Sequence, residues 1–197
     1  SYACGADVPC VVVNVARAGP GLGGISPAQG DYFQATRGGG HGDYFHIVLA
    51  PKSVQEAADL TYETFALAEK WRMPVMILAD GLIGQMMEGV ILPPAIESRA
   101  RPDRAWCVGG RAGGAGGRAT NHVSSCLLDP IELETRNRGR FERYEKIAKE
   151  VTSFEAVNVE AAELISVAYG TASRVCLGAV QAAKKQGLEL GLFRPIS

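Results

Sequence analysis

Four valines, Val11, Val12, Val13 and Val15, fall within Cys10–Ala16, and the run gives way at Arg17 to Ala18-Gly19-Pro20-Gly21-Leu22-Gly23-Gly24. β-Branched side chains on consecutive positions suit a strand covered on both faces, as in the parallel sheet of an α/β layer. Arg17 then stands at the carboxyl end of that strand, where open α/β sheets place their ligands. Gly19, Gly21, Gly23 and Gly24 let the backbone approach a ligand closely. Ser26-Pro27-Ala28-Gln29 has the order of a capped helix start, with serine at the cap, proline at the first position and glutamine at the third. A cation, bare amides and a hydroxyl thus gather at one sheet rim and describe an anion-binding site. A planar guanidinium in that place is suited to a carboxylate, which it can hold with two hydrogen bonds.

Three further segments extend the pattern. His46–Ala50 reads as a second strand closed by Pro51. Ser53-Val54-Gln55-Glu56 is a capping box ahead of an amphipathic helix, in which Val54, Ala57, Ala58, Thr61, Phe65 and Ala68 form one buried stripe as far as Trp71. Pro74–Asp80 is a third strand, apolar on both faces, and strand–helix–strand makes a βαβ unit. Asp80, at that strand's end, reads as the start of a turn. From Pro93 to Thr120 periodicity vanishes, and the glycine run between Gly109 and Gly117, with Arg111 and Arg118, reads as a solvated linker. Asp129–Val151 is dense in charge of both signs and predicts a helix packed along one side only. Leu164–Tyr169 reads as a strand, Thr171 or Ser173 caps a helix ending near Gly187, and Leu188–Phe193 is the following strand. The domains expected are therefore 1–95, a linker with glycine-rich loop and charged helix over 96–158, and the beginning of a second α/β domain over 159–197.

Bulk properties exclude several classes. A net charge of −1 argues against a nucleic-acid surface. Five cysteines, Cys4, Cys10, Cys107, Cys126 and Cys176, show neither a C-x-x-C pair nor zinc spacing and read as reduced thiols in a cytoplasmic protein. No apolar run approaches the ~20 residues of a membrane span, and no signal-peptide pattern is present. His41, in the loop Arg37–Asp43, is read as a loop residue near the cleft and not as a metal ligand, because two candidate ligands without a third make a poor site. Gly19–Gly24 matches the dinucleotide pattern G-x-G-x-x-G, which makes a Rossmann-type nucleotide module a rival reading. The expected helix starts after the loop, at Ser26, and no acidic residue ends a strand ~20 positions on, so the match fails as a fingerprint.

The segment Val11–Ile25 resembles the arginine–glycine–glycine–proline segment of 2-oxoacid:ferredoxin oxidoreductase alpha subunits. Gln29-Gly30-Asp31, Gly40-His41-Gly42-Asp43, Ile47–Pro51, Ala66–Asp80, Val167–Gly170 and Gly191–Ile196 are similar to further segments of the same family. The whole resembles most the type acting on 3-methyl-2-oxobutanoate (2-ketoisovalerate). The resemblance implies a pyrimidine-type thiamine-diphosphate-binding fold followed by a transketolase C-terminal-like domain. It also implies oxidative decarboxylation of a 2-oxoacid to acyl-CoA with reduction of ferredoxin. Thiamine diphosphate, Mg²⁺ and a [4Fe–4S] cluster would be held mainly by a partner beta subunit, with further small subunits and with coenzyme A as co-substrate. Arg17 matches the family arginine on the substrate carboxylate, and Ser26 falls where relatives often carry a threonine near the substrate. The chain departs from the pattern in three ways. Ala18 replaces a common glycine, the upstream tyrosine–proline–isoleucine–threonine–proline run is absent, and so is the acidic residue that activates the cofactor. The chain opens at Ser1 without a methionine and stops just after a strand, so it is read as a fragment lacking both termini; without the activating acidic residue it is expected to have no catalytic residue of its own and no turnover by itself. A non-catalytic remnant within an assembly is the remaining rival.

Overall fold

The computed structural model describes residues 1–95, 106–108 and 121–197. The glycine run with Arg111 and Arg118 lies outside the described residues. The chain opens with a short helix, α1 (Tyr2–Gly5), followed by strand β1 (Cys10–Ala16), a short helix α2 (Tyr32–Thr36) and strand β2 (Ile47–Leu49). Helix α3 (Val54–Trp71) leads to strand β3 (Pro74–Asp80) and the short helix α4 (Gly81–Gln85). After the undescribed segments come helix α5 (Pro130–Val151), strands β4 (Phe154–Val157) and β5 (Leu164–Val167), helix α6 (Gly170–Lys185) and strand β6 (Leu190–Pro195).

Strands β1, β3 and β2 form a parallel sheet in that order, with Ala16 paired to Asp80 and Leu49 to Ile77. The βαβ unit is as the sequence predicts, and β3 is buried along nearly its whole length because it lies in the middle. The expectation that β1 is covered on both faces is corrected. β1 is a sheet edge, and Val12, Val13 and Val15 are exposed, Val13 to 59%. An apolar run reports what both faces prefer; whether this stretch of chain supplies the cover depends on strand order, which the run does not encode.

Helix α3 begins as the capping box predicts on one side only. The Ser53 hydroxyl accepts from the Glu56 N–H at 3.1 Å, but the Glu56 carboxylate accepts from the N–H of Lys52, one residue before the cap. Its buried stripe is Thr64, Ala68 and Trp71, and Phe65 faces solvent, a further correction. Thr64 is tolerated inside because its hydroxyl bonds to the Leu60 carbonyl one turn back. Helix α5 packs by one side, as its charge pattern predicts. Ile147, Tyr144 and Val151 join Ile47, Leu49, Trp71, Val75 and Ile77 in one apolar core, while Phe45 meets Phe141 and Tyr144 edge to face. Asp129 caps α5 by accepting from the Ile131 and Glu132 N–H groups.

The second sheet has the order β4-β6-β5, with β5 parallel and β4 antiparallel to β6. β4 lies in the stretch read from sequence as linker. It is only four residues long, and neither face is fully buried. The two sheets meet along a seam. The Ala50 N–H donates to the Ile196 carbonyl at 2.8 Å. Beside it Arg194, only 1% exposed, donates to Glu56, to Glu155 at 3.0 Å and to the Ala50 carbonyl at 3.2 Å, and Lys52 pairs with the same Glu155. Among the described residues no helix is long and apolar enough to cross a membrane.

Candidate functional site

The rim at the carboxyl ends of β1 and β3 is built by three segments. At the end of β1, Arg17 forms an isolated antiparallel bridge with Pro27. Between them the chain turns back on itself: the Ala18 N–H donates to the Ser26 carbonyl at 2.9 Å and the Gly24 N–H to the Ala18 carbonyl at 2.8 Å. The Gly19–Pro20 peptide is cis. Gly23 has φ +56°, and a Cβ there would stand 1.8 Å from the Ala18 oxygen, so this turn closes only on glycine. The helix expected from Ser26 does not form. Ser26 and Pro27 are used as the returning arm of the turn, and helix α2 starts only at Tyr32, with Asp31 before it. The dinucleotide reading falls with that helix, since no helix opens directly on the glycines to receive a pyrophosphate and the five-residue α2 starts eight residues after Gly24, with the acidic Asp31 at its N-cap.

Arg17 is exposed, and its side chain lies over the loop. Nη1 donates to the Leu22 carbonyl and, at 2.7 Å, to the Gly24 carbonyl. Among the described residues Nε and Nη2 carry no hydrogen bond, which leaves the fork edge of the guanidinium for an incoming carboxylate. Ser26 is exposed at the same turn. His41 is also exposed. A Cβ at its neighbour Gly40 would stand 3.0 Å from Ser1 Oγ and 3.2 Å from the Tyr44 hydroxyl, and among the described residues no hydrogen bond joins His41 to the Arg17 loop. Arg17 is hydrogen-bonded to its glycine loop.

Beneath the loop lies a group of residues not anticipated as a site. Asp80, 4% exposed, caps α4 through Oδ1, which accepts from the Leu82 and Ile83 N–H groups at 3.1 and 3.2 Å. The turn expected at Asp80 is thus present. The same carboxylate accepts from the Thr171 hydroxyl at 2.7 Å, the Thr171 N–H at 3.0 Å and the Gln29 amide at 3.4 Å. Gln29 also donates to the Tyr169 carbonyl at 2.9 Å, and the Tyr169 hydroxyl donates back to the Gln29 carbonyl at 3.2 Å. Burial pushes the Asp80 carboxyl up, but the hydrogen bonds from Thr171, Ile83 and Gln29 outweigh it, and the net shift is below the ordinary carboxylate range. Burial, reinforced by the negative charge of Asp80, pushes the Tyr169 phenol up to about 12. Thr171 does not cap α6, as had been expected, because its hydroxyl is given to Asp80; the helix begins at Gly170. The available signal was an acidic residue ending an otherwise apolar central strand.

A thiamine-type cofactor at this rim would need a carboxylate to hold its aminopyrimidine. Asp80 is surrounded by donors, and Asp31 accepts from the Asn14 amide at 3.1 Å. The Asp80 carboxylate is thus filled by donors of this chain, while Asp31 keeps Oδ1 without a hydrogen bond among the described residues. Among the described residues no group of three or more His, Cys, Asp or Glu is arranged to hold a metal ion.

Residues 1–113 match the family described as pyruvate flavodoxin/ferredoxin oxidoreductase, thiamine diphosphate-binding. The chain belongs to that family. It is 48% identical over 200 residues to the ketoisovalerate oxidoreductase subunit VorB of Methanothermobacter thermautotrophicus, with 100% of this chain and 54% of the relative covered. It is 36% identical over 211 residues to the 2-oxoglutarate synthase subunit KorA of Methanocaldococcus jannaschii, covering 97% of this chain and 57% of the relative. The chain thus spans about half the length of the curated relatives it matches. In fold it is similar to a 2-oxoglutarate:ferredoxin oxidoreductase from Magnetococcus marinus, solved with 2-oxoglutarate, coenzyme A and succinyl-CoA bound. The TM-score is 0.75 and the identity 24%, with 98% of this chain and 38% of that chain covered. The α/β architecture with a parallel sheet is therefore that of the thiamine-diphosphate-binding domain of this family.

Proposed function

We propose that this chain is part of the alpha subunit of a 2-oxoacid:ferredoxin oxidoreductase of the 3-methyl-2-oxobutanoate type. The reaction is oxidative decarboxylation to acyl-CoA and CO₂, with electrons passed to ferredoxin. The observation that carries this reading is the likeness to VorB along the whole chain. Its substrate-binding residues are Arg17 and Ser26, with the glycine loop around them. Thiamine diphosphate, Mg²⁺ and an iron–sulfur cluster belong mainly to a partner beta subunit, in keeping with an Asp80 carboxylate already filled by donors of this chain. The geometry of Arg17 supports this role. Two loop carbonyls hold Nη1, the Nε–Nη2 edge carries no hydrogen bond among the described residues, and a 2-oxoacid gripped there would have its carbonyl carbon held in one orientation.

The test is ferredoxin reduction by the full-length protein assembled with its partner subunits, supplied with 3-methyl-2-oxobutanoate and coenzyme A. Arg17→Ala should lower kcat/KM for the 2-oxoacid by about 2–4 kcal/mol of transition-state stabilisation, the size of a lost charge contact. Ferredoxin reduction that requires no 2-oxoacid would overturn the reading, and unchanged kinetics in Arg17→Ala would remove the clamp.

A further inference from the structure

We propose that Asp80 is the positioning residue of the substrate loop, and that Thr171, from the second sheet's helix, fixes it in place. This rests on the assignment of Arg17 to the substrate carboxylate. To cap α4 the Asp80 carboxylate needs only Oδ1, yet Oδ2 accepts from the Thr171 N–H and the Gln29 amide, and the Thr171 hydroxyl adds a third bond from outside α4. Among the described residues no cation pairs with this buried anion. It is held entirely by directional donors from three segments, so its position dictates theirs.

Two connections lead from Asp80 to Arg17. In the ladder Asp80 pairs with Ala16, the residue before Arg17. Through Gln29 it holds the returning arm of the loop, where Pro27, two residues before Gln29, bridges Arg17. Gly81 lies under this bridge: a Cβ there would stand 3.5 Å from both the Ala16 carbonyl oxygen and Pro27 Cα. Across the junction Gly170, at φ +56°, comes so close that a Cβ would stand 3.0 Å from the Gln29 amide nitrogen and 3.1 Å from Asp80 Oδ2. The second sheet thus reaches the substrate cation through Tyr169-Gly170-Thr171, one carboxylate and one amide. A guanidinium gripping the substrate carboxylate acts while that carboxylate is intact, chiefly on binding, before it leaves as CO₂. Loosening its support should therefore raise KM and leave kcat nearly unchanged.

The experiment uses the full-length protein in its assembled complex. Thr171→Val should raise KM for the 2-oxoacid about five- to tenfold, less than the roughly ten- to hundredfold of one hydrogen bond to a charged group, because Thr171 acts on the substrate only through Asp80 and the loop. kcat should stay within about twofold, KM for coenzyme A should not change, and Thr171→Ser should restore the wild-type KM. Gln29→Leu breaks the chain from the loop side without touching α6 and should give the same selective rise, which keeps the test decisive if Thr171→Val fails to assemble. If Gln29→Leu and any assembled Thr171→Val leave KM unchanged while Arg17→Lys raises it, the positioning role is refuted and the substrate site stands. If Arg17→Lys also leaves KM unchanged, the site assignment fails and takes this proposal with it. An equal fall in kcat for every variant, with all KM values unchanged, would also refute it.

Discussion

Replacing Arg194 by methionine removes the cation at the centre of the seam while keeping most of the apolar stem. The guanidinium is 1% exposed and donates to two carboxylates and a backbone carbonyl. Breaking a fully buried pair by removing one partner costs about 3–5 kcal/mol. Two features reduce that figure. The Glu56 and Glu155 side chains keep 29% and 31% of their exposure, so water can partly re-solvate them, and Lys52 still pairs with Glu155. The Ala50 carbonyl, in contrast, loses a buried donor, at about 1 kcal/mol or more. The balance is a loss of about 2–4 kcal/mol, which lowers Tm by on the order of 10 °C for a unit of this size. The measurement is thermal and urea denaturation of the full-length subunit, paired with hydrogen exchange at the Ala50 amide, which should exchange faster by a similar free energy. A double-mutant cycle with Glu155→Gln should show coupling of about 1 kcal/mol or more. A loss under about 1 kcal/mol, with exchange at Ala50 unchanged, would refute the view that this arginine fastens the two sheets.

Gly23→Ala should distort the loop around Arg17, raise KM for the 2-oxoacid in the assembled complex, and lower Tm by several degrees. The cost of the left-handed backbone is about 1–2 kcal/mol before the clash with the Ala18 oxygen is added, and steady-state kinetics beside a melting curve would separate the two effects. Asp80→Asn should cost about 1–3 kcal/mol near neutral pH, since an amide nitrogen would face donors in place of an acceptor. Its acid limb should also be flatter than that of the wild type. A carboxyl whose folded pKa lies below its unfolded value stabilises the fold above the unfolded value, and that stability is lost as pH falls through the folded one. The difference between the two proteins should therefore shrink below about pH 4 in acid denaturation curves.

Legibility in the sequence divides by how local the decisive contact is. Strand β3 and helix α3 are readable because central burial and an N-cap leave marks within a few residues. The covered strand expected at β1 is an edge, since strand order is set by pairings far along the chain. Ser26-Pro27-Ala28-Gln29 carries the local marks of a helix start and makes none. Gln29 spends its amide on the Tyr169 carbonyl, 140 residues away, and on Asp80. Glu56 was read as half of a capping box and is claimed by Arg194, 138 residues on. At the site, Arg17 and its glycines come together as their spacing implies. The Asp80–Thr171–Gln29 group was not anticipated, because its members come from three separate segments and carry no motif.

The hydrogen bond from Ala50 to Ile196 is made by main chain on both sides. Substitutions at Arg194, Glu155 or Lys52 can tighten or slacken the joint between the sheets and change how often this bond opens, but its donor and acceptor are present whatever side chains stand there. The alignment of the second sheet on the first is in that respect insulated from sequence drift. Relatives with quite different charges along the seam should then still keep this main-chain link between the two sheets.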